Sequence, residues 1–202
     1  MDYSYGVLEN KVTFLARIEH IFAPSDVLRT NLAYMMAKHA HRAQQRKEVD
    51  ESGRRVRYFE HVRRVALILM DSKVKIFTPE EVQVALLHDT LEDTEDVTPE
   101  ILELAFGKSV TLGVMAMTKR LGLETKHYQR QLERVPIAPY IKLCDRVDNM
   151  RNCKVEHVGN GFLQKQLTET RDKWLPWFRE TIGYPSPLLV ELETIVESGG
   201  IE

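Results

Sequence analysis

Apolar positions recur at helical spacing along most of the chain, and the residues between them are those that start and stop helices. Ser25 or Asp26 can cap a first helix whose stripe runs Leu28, Leu32, Met35, His39 and Ala43. It gives way to Arg46-Lys47-Glu48-Val49-Asp50-Glu51-Ser52-Gly53-Arg54, a polar stretch that reads as a loop. A second helix starts near Glu60 and carries Val62, Val65, Ala66 and Leu69 on one face. The third has the clearest start: Thr78-Pro79-Glu80-Glu81 sets an N-cap threonine, a proline in the first turn and a glutamate in capping-box register. Val82-Gln83-Val84-Ala85-Leu86-Leu87-His88-Asp89 follows, apolar on nearly all sides, which predicts a central, buried helix. Thr98-Pro99-Glu100 opens another helix, and Gly107 is placed to end it. Two shorter helices, 109–120 and 124–134, flank Gly122, and one from 139 to 152 follows the break at Pro136 and Pro139. From Gly159 onward the pattern predicts a helix holding Trp174 and Trp177, a turn at Gly183-Tyr184-Pro185 and a last amphipathic stretch. Strand signals are weak everywhere, so the fold class is all-α.

Composition narrows the function classes. A chain of 202 residues suits one ordinary domain with an ample core. Lys+Arg 28 against Asp+Glu 30 leaves a net charge of −2, so no global field points to nucleic acid or a membrane. The run Val65-Ala66-Leu67-Ile68-Leu69-Met70 is far short of the roughly 20 residues that span a bilayer. Met1-Asp2-Tyr3-Ser4-Tyr5 lacks a basic region leading into an apolar stretch, so no secretory signal is expected. Cys144 and Cys153 cannot build a disulfide framework and fit a reducing compartment. The expectation is a soluble cytoplasmic protein.

Several residues resist a purely structural reading. His88-Asp89 falls inside an apolar stretch, and a buried carboxylate needs a cation or strong donors. Glu92 and Asp93 stand four residues on, so a continuous helix places them one turn above His88 and Asp89. Carboxylates this close repel unless a metal or a cationic substrate group neutralises them. The plainer alternative is a solvated acidic helix end, since 91–96 is acidic almost throughout. A second constellation is Asp145 with Asn149, again at i, i+4; Asp145-Arg146 alone reads as a surface or helix–helix ion pair. His61 lies in line with Val65 and Leu69, where a lone histidine is more often a satisfied core residue than a ligand. Between Arg42 and Arg64, eight Lys/Arg against four acids give a local +4, which suits a polyanionic small molecule. For Arg54 and Arg55 individually, a solvated loop is the better reading.

Taken in order, these segments resemble the HD-domain hydrolases of the RelA/SpoT type, which degrade the alarmone (p)ppGpp. The matching stretches are Ala40-His41-Arg42-Ala43-Gln44-Gln45-Arg46, Tyr58-Phe59-Glu60-His61, and Ala85-Leu86-Leu87-His88-Asp89-Thr90-Leu91-Glu92-Asp93-Thr94. Phe106-Gly107-Lys108-Ser109-Val110, Met117-Thr118-Lys119 and Ile141-Lys142-Leu143-Cys144-Asp145-Arg146-Val147-Asp148-Asn149-Met150-Arg151 continue the match, which covers about residues 28–155. The resemblance implies that His61, His88, Asp89 and Asp145 bind one divalent metal, usually Mn2+. It implies that Glu92 and Asp93 position or activate the attacking water, and that Arg46 and Asn149 contact substrate with Lys47 near the base. Two imidazoles and two carboxylates form a mixed N/O site suited to Mn, Fe or Zn, and the absence of a thiolate argues against a structural zinc. The chain departs from the family pattern at Ala43, at Arg57 before the first ligand, at Val62 after it, and at Asp148, where a histidine is usual. None of these removes a ligand.

The resulting expectation is an HD-domain helical bundle: an N-terminal segment 1–24, a hydrolase domain 25–158, and a C-terminal helical extension 159–202 packed on the same domain. Its activity would be metal-dependent hydrolysis of the 3′-pyrophosphate of (p)ppGpp to GDP or GTP and pyrophosphate. Alternatives are another HD-superfamily nucleotide phosphohydrolase (a nucleotidase or an adenine-alarmone hydrolase) or a non-catalytic nucleotide sensor. The expected partner is a small nucleotide, with neither nucleic acid nor membrane, and a homo-oligomer is left open. Trp174, Trp177 and Phe178 read as core or as a self-association surface.

Overall fold

A computed structural model describes residues 10–50, 52–72, 77–183 and 186–200. In chain order the elements are α1 (Lys11–Glu19), α2 (Pro24–Ala40), β1 (Gln45–Val49), β2 (Arg55–Arg57), α3 (Tyr58–Asp71), α4 (Pro79–Leu87), α5 (Thr90–Asp93), α6 (Pro99–Phe106), α7 (Lys108–Met117) and α8 (Thr125–Leu132). Then come α9 (Ala138–Arg151), α10 (Val155–Val158), α11 (Asn160–Glu169), a π-helical turn (Thr170–Trp174), α12 (Leu175–Thr181) and α13 (Pro187–Glu197). The molecule is helical apart from one small hairpin, as the apolar periodicity indicates.

The core forms where α3 packs between α4 and α9, with α2 and α7 closing on α4. Thr78 caps α4 through the reciprocal box: its hydroxyl accepts from the Glu81 amide and the Glu81 carboxylate accepts from the Thr78 amide. Thr98 caps α6 with its hydroxyl alone, which accepts from the Ile101 amide, and the chain turns at Gly107 as its position suggests. Burial of Val82, Val84, Ala85, Leu86 and Leu87 makes α4 the central helix. Gly113 lets α7 approach it closely, because a Cβ there would fall 2.5 Å from Cγ2 of Val84.

Four expectations are corrected. The buried face of α2 is Thr30, Ala33, Tyr34, Ala37 and Ala40, not the leucine stripe; Leu28, Leu32 and Met35 are 69%, 46% and 43% exposed. Small alanines allow α2 to sit against α4, and Tyr34 packs between Phe14 and Phe59, with ring centroids 5.2 and 4.7 Å away. His39 and Ala43 are exposed. Second, the polar stretch from Arg46 is not all loop: β1 and β2 form an antiparallel hairpin pairing Gln45 with Arg57 and Val49 with Arg55. Asp50 closes its turn by accepting from the Ser52 and Arg54 amides, and Gly53 supplies the positive φ of 76°. Third, the N-terminal segment contains α1, started by an Asn10–Thr13 capping box and anchored by Phe14 and Ile18. Fourth, α4 stops at Leu87. His88 forms its C-cap and Asp89 leads into α5, with the Thr90 hydroxyl satisfying the Leu87 carbonyl at 2.7 Å.

The chain beyond α10 returns over α9 through α12 and α13. Trp174, Trp177 and Phe178 are core residues here, stacked among themselves and against Tyr128. Of the turn expected at Gly183-Tyr184-Pro185, Gly183 has a positive φ of 87°; Tyr184 and Pro185 lie outside the described residues. Among the described residues no helix is long and apolar enough to cross a membrane.

Candidate active site

Four side chains from three parts of the core converge. His61 comes from the first turn of α3, His88 and Asp89 from the break between α4 and α5, and Asp145 from the middle of α9. Nε2 of His61 lies 3.2 Å from Oδ1 of Asp145 and 3.6 Å from Oδ2 of Asp89. Nε2 of His88 lies 3.0 Å from the same Asp89 oxygen and 4.0 Å from Asp145. Ligand atoms of His61, His88 and Asp145 all fall within 4.8 Å of one another.

Both imidazoles are oriented from behind. Nδ1 of His88 donates to the Ala85 carbonyl at 2.9 Å, so in the neutral ring Nε2 carries the lone pair, and this buried atom has no hydrogen-bond partner. A lone pair facing a carboxylate oxygen at 3.0 Å is repulsive unless a cation or proton lies between them. Nδ1 of His61 pairs with Oδ2 of Asp148 at 2.7 Å, and Asp148 in turn accepts from Nε of Arg64 at 2.6 Å. Arg64 also bridges to Glu48 on β1, at 2.9 Å. The hairpin misread as loop therefore braces a histidine of the cluster.

The carboxylates are held just as firmly. Asp145 receives Nζ of Lys142 on one oxygen and Nδ2 of Asn149 on the other, each at 2.6 Å. Asn149 accepts from Nη2 of Arg46 at 2.7 Å, and Asp89 accepts from the Tyr58 hydroxyl at 2.8 Å. Burial alone would raise both acids, but Lys142 and the histidines hold Asp145 well below the usual carboxylate range, and His88 and His61 do the same for Asp89. Burial opposes the charge on His61, yet its three carboxylate partners push its pKa to about 10, and that of His88 is also raised. Without a metal, protons occupy the space between these groups. The donor set and its unpartnered Nε2 atom fit a divalent cation.

Glu92 and Asp93 stand on α5 at the solvent side of this cluster. The helix break does not separate them from it, because the Asp93 amide still bonds to the Asp89 carbonyl at 2.9 Å. Glu92 Oε2 accepts from the Lys119 amide at 2.7 Å, and Gln44 donates to the Asp93 carbonyl at 2.6 Å. Desolvation pushes both carboxyls upward, with the Asp89 charge adding to it. Asp96, by contrast, is spent on Arg42 at the surface.

A cleft of about 390 Å³ opens beside Asp145, lined by Arg46, Lys47, Tyr58, Asn149, Cys153 and Phe162 among others. Lys47 sits over the Phe162 ring, 3.7 Å from its centroid. Arg54 and Arg55 are exposed, as expected, and Arg57 turns to Glu60. The plainer reading of Asp145 and Arg146 as an ion pair does not apply; Asp145 pairs with Lys142. Tyr58 and Lys142 have no separate role in the sequence pattern, Asp148 stands there as a departure, and Arg64, counted with the basic stretch, is paired with Glu48 and Asp148. The i−3 spacing from Asp145 is the available signal for Lys142.

No protein-family model matches the chain. It is 33% identical over 171 residues to the guanosine-3′,5′-bis(diphosphate) 3′-pyrophosphohydrolase MESH1 of Drosophila melanogaster, covering 80% of this chain and 89% of the relative. The enzyme of the same name from Danio rerio is 36% identical over 121 residues, 57% of this chain and 64% of the relative. Among solved structures, one described as a metazoan ortholog of SpoT that hydrolyses ppGpp superimposes with a TM-score of 0.64 at 27% identity, covering 86% of this chain and 97% of that one.

Proposed function

Because the chain belongs to the family of small RelA/SpoT-type 3′-pyrophosphohydrolases, we propose that it hydrolyses (p)ppGpp to GDP or GTP and pyrophosphate. In this reaction the bond between O3′ and phosphorus breaks. The water oxygen joins the departing pyrophosphate, and a proton ends on O3′. The observation that carries the reading is the convergence of buried His61, His88 and Asp145, whose ligand atoms lie within 4.8 Å of one another, with Asp89 set 3.0 Å from Nε2 of His88.

In this reading those four residues hold one divalent cation, Mn2+ by preference, with Fe or Zn compatible with the same donors. When bound, such a cation supplies Lewis-acid chemistry: activation of water and neutralisation of phosphoryl charge. The chain's own residues do the rest. Asp148 and the Ala85 carbonyl fix the two imidazoles; Tyr58, Lys142 and Asn149 fix the two carboxylates. Glu92 and Asp93, whose carboxyls are raised by desolvation, position the water and take its proton. Arg46, Lys47 and Asn149 on the cleft wall bind the nucleotide. Residues 25–158 form the hydrolase unit, and 159–202 an extension on the same body that contributes Phe162 to the cleft.

The deciding experiment incubates Mn2+-loaded protein with ppGpp, pppGpp and their adenine counterparts, and with GTP, ATP and a nucleoside monophosphate. Release of pyrophosphate from the 3′ position with little attack on GTP is expected. Efficient hydrolysis of the monophosphate with ppGpp untouched would move the protein to the nucleotidases.

A further inference from the structure

Arg146 is a buried cation that the reaction described above leaves idle. It stands one helical turn beyond Lys142 on α9, and both lie over the Trp174 ring, 5.3 and 5.5 Å from its centroid. Trp174 is delivered to that position by the π-helical turn, a distortion common at functional sites. The two cations are used differently. Lys142 is committed to Asp145 at 2.6 Å. Arg146, only 8% exposed, donates through Nη1 to the neutral Oε1 of Gln166 at 2.9 Å, and its buried Nε has no partner.

Among the described residues no carboxylate lies within ion-pair distance of this guanidinium. Asp145, its neighbour in sequence, is paired with Lys142 instead. Desolvating a guanidinium this far is costly unless an anion completes its shell. Arg146 and Gln166 line the cleft that opens on Asp145, with Glu169 on the same wall. A guanidinium fork presents paired donors that match phosphate oxygens.

We propose that Arg146, held by Gln166 and the Trp174 face, is a second anion subsite that takes a phosphate group of the nucleotide other than the one at the His61, His88, Asp89 and Asp145 cluster. The inference rests on the nucleotide-hydrolase reading of that cluster. Two phosphates of the substrate share the required chemistry: the 5′ chain, retained in GDP, and the outer phosphate of the 3′-pyrophosphate, released in pyrophosphate.

The test measures binding of the separate products by calorimetry, with guanosine as the phosphate-free control, to Mn2+-loaded wild type, Arg146→Gln and Arg146→Lys. Arg146→Gln should weaken GDP or pyrophosphate by about tenfold or more, leave guanosine and Mn2+ binding unchanged, and be partly rescued by Arg146→Lys. Loss confined to GDP assigns the 5′ chain, and loss confined to pyrophosphate assigns the outer 3′ phosphate. Unchanged affinity for both products, or an equal loss for guanosine, overturns the proposal. Should Arg146→Gln not fold, Gln166→Leu removes the brace and leaves the cation, and the same product-specific loss is expected. Wild type that binds neither product and leaves ppGpp intact is a different failure, that of the hydrolase reading itself.

Discussion

Nδ1 of His61 and Oδ2 of Asp148 are 2.7 Å apart and both residues are buried, so the imidazole is oriented by a carboxylate on its far side from the cluster. Burial would raise the Asp148 carboxyl, but Arg64 and His61 hold it well below the usual range, so it is charged at neutral pH. A carboxylate behind a metal-ligating histidine fixes the ring and raises its basicity. Asp148→Asn keeps the shape and removes the charge. Mn2+ affinity should fall by about 10- to 100-fold, the usual cost of such a partner. Unchanged Mn2+ binding in this variant would assign Asp148 to the Arg64–Glu48 ion pair alone.

Glu92 and Asp93 separate enzyme from sensor. A group that handles the water affects chemistry more than binding. Glu92→Gln or Asp93→Asn should therefore lower kcat by at least about 10²-fold, the low end for a positioned acid–base group, while nucleotide affinity changes much less. Wild-type turnover in the double variant would return the pair to a solvated acidic turn.

Acid should displace the metal. In the metal-free protein His61 has a pKa of about 10 and that of His88 is also raised, so at neutral pH their protons must leave before an ion can bind. The raised values mean that lower pH favours the protonated, metal-free form and that affinity climbs as pH rises toward the folded pKa. Between pH 6 and 8 the apparent Mn2+ affinity should rise by up to about tenfold per pH unit for each proton released. Calorimetry in buffers of different ionisation enthalpy counts those protons, and a pH-independent affinity with no proton release contradicts the assignment.

What was legible in the sequence was what local chemistry determines. The caps at Thr78 and Thr98 and the stop at Gly107 depend on neighbours within four residues, and they fall where their spacing puts them. His61, His88, Asp89 and Asp145 meet because α3 packs against both α4 and α9; the sequence offers them together only through the runs that resemble a known family. The α2 face was misread because that helix carries two apolar faces. Helix packing selected the one with Ala33, Ala37 and Ala40, whose small side chains permit close approach. The hairpin escaped because its strands are polar and its turn is closed by Asp50 side-chain bonds that no apolar alternation announces. The pairing Arg64–Asp148 was out of reach for a related reason. A charge pattern says which residues can pair, but only the packing of α3, α9 and the hairpin says that Arg64 meets Asp148 and Glu48.

On the proposed function, the cluster of two imidazoles and two carboxylates holds a catalytic cation. The most direct measurement titrates Mn2+ into exhaustively chelated wild type and Asp145→Ala while following ppGpp turnover on the same samples. The stripped wild type should be inactive, bind one ion per chain and regain activity in step with occupancy, while Asp145→Ala should neither bind at that affinity nor turn over. Full turnover by the stripped protein, or tight binding and normal turnover by Asp145→Ala, would contradict it.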